Sequence, residues 1–229
     1  MSNHYSERLT NLINLARTDI EIALQHKVNP LMAYSGGKDG NVVMHLVNSM
    51  TKIKGVYEGS FYYEKQKNDV ADEVQKLNYD VELKESLGWD YLSKHQDFIF
   101  TNDNKLRAKD FALRQQGTVK KYALNNNHDI VIFGRRTQEN SVKAKLYEAN
   151  GLLNFHPVRD WQHEDIWEYI HKTSELEVPW IYSQFHGKKS GNSAFHTLRA
   201  KYFAGGHDEA WAYCTSLDPK INREQLNAS

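Results

Sequence analysis

The segment Ser35-Gly36-Gly37-Lys38-Asp39 holds the residue types and spacing with the clearest chemistry in this chain. It follows the short apolar run Leu31 to Tyr34 and precedes Val42, Val43, Leu46, Val47 and Met50, which recur at helical spacing. A strand that turns through Ser-Gly-Gly straight into a helix leaves several backbone N–H groups unpaired and aimed at one point, and the helix dipole adds positive potential there. Such a nest holds phosphate. Gly36 and Gly37 let the backbone approach a ligand without a Cβ in the way, Lys38 supplies a mobile cation at the sheet edge, and Ser35 offers a hydroxyl. Asp39, at the helix start, is placed either to cap the helix or to help hold a magnesium ion. The competing reading is a plain tight turn with a solvated lysine, and the strand before and helix after favour the phosphate site. The spacing is not that of a Walker loop, which sets its glycines wider and places Ser or Thr after the lysine.

A second set of cations follows the nearly all-apolar run Asp129 to Gly134, which reads as a strand covered on both faces. Arg135 and Arg136 come directly after it, at the sheet edge that carries the phosphate loop. There a guanidinium can fork onto phosphate or sulfate oxygens. The alternative is a pair of surface ion pairs with Glu139 or Glu148. Lys120, Lys121, Lys143 and Lys145 either extend this cationic wall or are singly solvated. His156 either touches substrate or is a satisfied structural histidine, and Phe61-Tyr62-Tyr63 either stacks on a base or joins the core. Trp161 and Trp167 read as core residues.

The elements that must position these groups alternate. Leu9 to His26 is an N-terminal packing helix, with Leu12, Leu15, Ala16, Ile20, Ala23 and Leu24 at helical spacing and Asn29-Pro30 ending it. Strands are expected at Leu31 to Tyr34, Ile53 to Tyr57, Tyr79 to Leu83, Asp129 to Gly134 and Leu152 to Val158. Helices are expected after the phosphate loop, at Asn68 to Leu77, at Phe111 to Leu124, and at Trp161 to His171 with Ile166, Trp167 and Ile170 inward. Such alternation builds an α/β fold with a doubly wound, mostly parallel five-stranded sheet. Right-handed crossovers then put the loop at the carboxyl edge, where open α/β sheets bind their ligands.

The wording Ala33-Tyr34-Ser35-Gly36-Gly37-Lys38-Asp39 resembles the PP-loop ATP pyrophosphatase family, within the adenine nucleotide alpha hydrolase-like superfamily, and specifically its branch of phosphoadenosine phosphosulfate (PAPS) reductases and relatives. Two further blocks agree in order. Phe133-Gly134-Arg135-Arg136-Thr137-Gln138 is similar to that branch's strand-ending Gly-Arg-Arg segment. His156-Pro157-Val158-Arg159-Asp160-Trp161, followed by Asp165-Ile166-Trp167, is similar to its Pro-Leu-x-Asp-Trp and Asp-Val-Trp block. The resemblance implies a nucleotide-binding domain over 29–178, flanked by an N-terminal helical segment at 1–28 and a C-terminal appendage at 179–229. It implies binding of ATP or PAPS, with magnesium, by Ser35, Gly36, Gly37, Lys38, Asp39, Gly134 and Arg135. Lys38, Arg135 and Arg136 would carry chemistry at the α-phosphate.

The chain departs from that pattern at three places. PAPS reductases attack sulfur with a cysteine in a Glu-Cys-Gly-Leu-His segment, whereas Cys214 lies in Ala212-Tyr213-Cys214-Thr215-Ser216. Other relatives carry a Cys-x-x-Cys or an iron–sulfur cluster near Ser190-Gly191-Asn192-Ser193, which has no cysteine. Gly40 stands where the loop usually ends in Ser or Thr. Three functions follow: adenylyl transfer from ATP to an unidentified acceptor with pyrophosphate release, sulfonucleotide reduction through Cys214 with an external thiol protein, or an inert nucleotide-binding partner protein.

Bulk composition narrows the surroundings. Lys plus Arg and Asp plus Glu each number 29 in 229 residues, so no global field gathers nucleic acid or anionic membrane, and nucleic acid would need a local stripe such as one including Lys188 and Lys189. A single cysteine rules out an internal disulfide framework and cysteine-only metal sites within one chain. No run approaches the roughly 20 apolar residues of a membrane helix, and the polar N-terminus lacks a signal-peptide core, so the expectation is a cytoplasmic protein without membrane contact. A homodimer is the family's habit.

Overall fold

The computed structural model describes residues 5–25, 27, 29–59, 64–85, 117–138, 142, 144–149 and 151–177. Its elements run α1 (Glu7–Leu24), β1 (Pro30–Tyr34), α2 (Lys38–Asn48), β2 (Lys54–Gly59), α3 (Glu64–Lys76), β3 (Val81–Glu85), α4 (Gly117–Asn125), β4 (Ile130–Phe133), β5 (Leu146–Ala149), β6 (Leu152–Phe155) and α5 (His163–Lys172). The strands form one sheet in the order β3-β2-β1-β4-β6-β5, parallel throughout except where β5 runs against β6. From β1 the chain builds outward through β2 and β3, then returns to place β4 on β1's other side. The strand order therefore reverses between β1 and β4, which is where such sheets open a ligand crevice at their carboxyl edge.

The sheet has six strands where the sequence pattern gives five. The extra one is β5, an edge strand whose Leu146, Tyr147 and Glu148 are all exposed. With no buried face it carries no period-two signal. The five expected strands are all present.

Alternation along the inner strands feeds two apolar layers. Met32, Tyr34, Tyr57, Ile130, Ile132 and Phe155 face a core shared with α1, α2, α3 and α5, while Leu31, Val56, Val131 and Leu152 face Val119, Tyr122 and Ala123 of α4. Helix α1 enters the first layer through Leu9, Ile13, Ala16, Ile20 and Ala23. Of the residues expected inward, Ala16, Ile20 and Ala23 are buried and Leu12 and Leu24 pack against the core, while Leu15 is 59% exposed. Ser6 caps α1 by accepting the Leu9 N–H at 3.2 Å. The Ser6 N–H and hydroxyl donate to Glu168 of α5, and Arg8 forks onto Asp165 at 2.9 and 3.0 Å. The N-terminal helix is thus part of the sheet's own core.

In α5, Ile166, Tyr169 and Ile170 are buried as the helical spacing requires, but Trp167 is only half-buried. Its indole N–H donates to His163 Nε2 at 2.9 Å and its ring stacks on His171. Trp161 is core, as expected. The proposed appendage 179–229, Phe61-Tyr62-Tyr63, Lys143, Lys188, Lys189 and Cys214 lie outside the described residues.

Candidate nucleotide site

The loop leaves β1 with Ser35 exposed and Gly36 at φ +66°, a left-handed conformation that a side chain would strain. Gly37 is the N-cap residue of α2 and, having no side chain, gives the helix no side-chain cap. The amides of α2's first turn therefore keep their potential for an anion, with the helix dipole behind them.

Gly134 meets this turn from the neighbouring strand. A Cβ on Gly134 would lie 2.7 Å from the carbonyl carbon of Asp39 and 2.7 Å from the nitrogen of Gly40. The strand end and the helix start are in backbone contact, so Gly134 shapes the loop by close approach. Gly40 is similarly crowded, since a Cβ there would sit 3.2 Å from Ser35 Oγ.

Beneath the turn lies a buried ion cluster. Lys38 Nζ is 2.5 Å from Asp39 Oδ2, and Arg136 Nε is 2.5 Å from Asp39 Oδ1. Lys38 and Arg136 are both 0% exposed. The sequence pattern makes Lys38 a mobile, exposed cation; the structure buries it completely against Asp39. Arg136 is turned inward to Asp39 and away from solvent. It also donates to Gln138 Oε1 at 2.7 Å and to the Trp161 carbonyl at 3.4 Å. The Trp161 block thus braces the second arginine of the Gly-Arg-Arg segment. Two buried cations and one carboxylate thus meet at the start of α2.

In this structure Asp39 is the shared counter-ion of Lys38 and Arg136. Both of its oxygens are engaged by cations, and the described residues contain no group of three or more His, Cys, Asp or Glu side chains able to hold a metal ion.

Arg135 and Arg136 diverge, as adjacent residues leaving a strand do. Arg135 is half-buried with its guanidinium 4.9 Å from the centre of the Phe133 ring, on the α4 side, and burial lowers its pKa. Lys145 turns away to Asp19 of α1 at 2.6 Å instead of extending a cationic wall, and Lys121 of α4 is solvated.

Several polar groups carry no sequence signature. Under the loop, the Tyr34 hydroxyl donates to Asn41 Oδ1, and Asn41 Nδ2 donates to Glu73 Oε1 at 3.0 Å. Burial pushes the Glu73 carboxyl up to about 7. His163, at the start of α5, has its pKa lowered by burial first and then by the nearby charges of Lys38 and Arg136. No motif names these residues; the one signal is their polarity on faces that helical spacing turns inward. A separate cavity of about 440 Å³, lined by Tyr5, Arg17, His45 and Tyr169 among others, lies between α1, α2 and α5. It adjoins the last turns of α2, away from the loop, and is not the nucleotide site.

A glycine loop on a helix N-terminus, at the reversal point of a parallel sheet, defines an α/β fold of the adenine nucleotide alpha hydrolase-like class. The family model for the phosphoadenosine phosphosulfate reductase domain matches residues 29–187, and the chain belongs to that family. Among solved structures the chain is similar to a phosphoadenylyl-sulfate (PAPS) reductase from Candida auris in its phosphate complex (13% identity, TM-score 0.58, 81% of this chain and 94% of that one). It is also similar to NMN synthetase from Francisella tularensis (15%, TM-score 0.54, 96% and 94%). A third is the NH3-dependent NAD synthetase from Campylobacter jejuni subsp. jejuni NCTC 11168, in complex with the nitrate ion (12%, TM-score 0.50, 90% and 95%). At these identities the likeness is one of fold. No curated protein sequence matches the chain. Among the described residues no helix is long and apolar enough to cross a membrane.

Proposed function

We propose that this protein binds ATP through its glycine loop and transfers the adenylyl group to an acceptor. The acceptor's nucleophilic atom forms a bond to the α-phosphorus, the bond between the α-phosphorus and the bridging oxygen breaks, and pyrophosphate leaves with the electron pair. The acceptor's proton passes to solvent. One observation carries this reading: Lys38 and Arg136, both fully buried and paired with Asp39, set two cations beside a glycine-formed helix start whose dipole adds positive potential. Fixed positive potential of that kind stabilises a phosphate and the charge that grows on a leaving pyrophosphate. Lys38 and Arg136 act through the potential they set, and the α2 amides make the direct contact. Arg135, on the other side of Gly134, reaches a second part of the ligand.

The family itself favours a second reading, reduction of PAPS. In that reaction the Cys214 thiolate attacks the sulfur, the sulfonate passes to Cys214, and adenosine bisphosphate leaves. An external dithiol protein then reduces the adduct, releasing sulfite and becoming a disulfide. Labelled ATP with magnesium, incubated with candidate acceptors, should give AMP or adenylylated product with pyrophosphate. ADP and phosphate would refute adenylyl transfer. Sulfite release from PAPS by the parent, lost in Cys214→Ser, would establish the reductase instead, because serine cannot replace an attacking thiolate.

A further inference from the structure

His156 is 1% exposed, and neither of its ring nitrogens has a hydrogen-bond partner. Buried imidazoles are normally satisfied on at least one side, so two bare nitrogens in one ring point to a group that completes them. The ring follows β6 directly, and its backbone N–H is held by the Lys145 carbonyl at 2.8 Å. Because β6 lies between β4 and β5, the imidazole is stacked between Phe133 (5.2 Å, 17° between planes) and Tyr147 (5.7 Å, 10°). Its faces are occupied by aromatic rings, and the nitrogens on its buried edge are what remains unsatisfied. Two guanidinium groups act on that ring: Arg135 from the end of β4, over Phe133, and Arg159 from the turn after β6. Arg159 is oriented by the Val142 carbonyl at 3.0 Å and by Asp160.

We propose that His156, Arg135 and Arg159 form an oxyanion subsite at the carboxyl end of β4 and β6, in which the imidazole edge hydrogen-bonds a phosphate, sulfate or carboxylate group. The subsite rests on the nucleotide reading above only for which molecule carries that group. Burial first, then Arg135 and Arg159, lower the His156 pKa to about 4, so the empty subsite holds a neutral ring at neutral pH. An oxyanion between the arginines offsets their charge and accepts a hydrogen bond from the ring, which favours the imidazolium. Binding therefore takes up a proton. The pKa is higher in the complex than in the free protein, so affinity rises as pH falls through the bound value and levels off below the free one.

Sulfate is the probe, because it stays fully ionised across the range. The full-length protein, with histidine rings labelled with carbon-13, is titrated with sulfate between about pH 5 and 8 and followed by NMR. The His156 signal is assigned by difference against His156→Phe, which keeps the aromatic stack, or against His156→Gln if the phenylalanine variant does not fold. The expected result is a sulfate-dependent rise of the His156 pKa, with sulfate affinity roughly two-fold or more greater at pH 5 than at pH 8; this is less than the full factor by which bound sulfate strengthens the ring's hold on its proton, because pH 5 lies above the free pKa of about 4. The nitrogen-free variant should lose that pH dependence. If ATP displaces sulfate from His156, the oxyanion belongs to the nucleotide; if both bind together, it belongs to the acceptor. A His156 signal unmoved by sulfate and ATP, or an unchanged pH dependence in His156→Phe, overturns the subsite and leaves the ring to water. Calorimetric ATP binding with a silent His156 sinks the subsite alone, whereas sulfate at His156 without any ATP binding sinks the nucleotide reading alone.

Discussion

Asp39→Asn tests whether the buried ion cluster holds the loop together. The Asp39 carboxylate is 8% exposed and lies 2.5 Å from each of two fully buried cations, Lys38 and Arg136. The asparagine variant keeps the shape but removes the counter-charge that both cations share. Arg136→Met removes a cation and leaves the Lys38–Asp39 pair in place. Deleting one partner of a buried pair costs about 3–5 kcal/mol, and here one deletion strands two cations, which puts Asp39→Asn near about 5 kcal/mol. Arg136→Met loses its own bonds to Asp39, Gln138 and the Trp161 carbonyl but leaves Asp39 paired with Lys38, so it strands no buried cation and should cost less, about 3 kcal/mol. Against a typical stability of about 5–15 kcal/mol the first variant is close to unfolding. Urea unfolding followed by tryptophan fluorescence measures both. Repeating it with sulfate in place of chloride at matched ionic strength should recover more stability in the asparagine variant than in the parent, since its surplus charge favours anion binding. An Asp39→Asn variant within about 1 kcal/mol of the parent, or one more stable than Arg136→Met, would refute the reasoning.

Three further outcomes are expected. Gly134→Ala drives a Cβ into the Asp39 and Gly40 backbone and should cost about 3 kcal/mol, seen as a fall in the thermal midpoint with a matching loss of ATP affinity by calorimetry. Gly36→Ala places a side chain at φ +66° in otherwise ordinary van der Waals contact, so its cost is the smaller one of left-handed strain, about 1–2 kcal/mol in urea unfolding. Glu73→Gln should be neutral near pH 4 and stabilising by up to about 3 kcal/mol at pH 8 in the same assay. The raised pKa of about 7 means that the fold prefers the protonated acid, so the parent loses this contribution as pH rises from about 4.5 and has lost all of it above about 7.

Much of the fold was legible because its inner strands are covered on both faces. Ile130 to Phe133 is a continuous apolar run for that reason, and one layer takes Ile130 and Ile132 while the other takes Val131. Strand β5 was illegible because an exposed edge has no apolar side to write into the sequence. Leu15 was read into the inward stripe of α1 because Leu12, Leu15 and Ala16 fit a helical period as well as Leu9, Ile13 and Ala16 do. What decides between them is the tie from Ser6 and Arg8 to α5, a contact across more than 150 residues.

The candidate site divides along the same line between local and long-range causes. Loop, helix start and flanking strand are local, and the glycines at 36 and 37 do what their spacing implies. The charges are not local. A lysine and two arginines at one sheet edge look alike in sequence, but their roles depend on which neighbour each meets. Arg136 turns towards α2, where Asp39 waits, and joins Lys38 as a buried source of potential. Arg135, one residue earlier, turns the other way and comes to rest over Phe133 beside His156. A tandem arginine at a strand end is therefore two devices: one fixes the charge beneath the phosphate loop, and the other faces the imidazole that still lacks a partner. If both arginines contacted phosphate directly, Arg136 would have to give up Asp39, and the loop would lose the ion pair that seats its first helical turn.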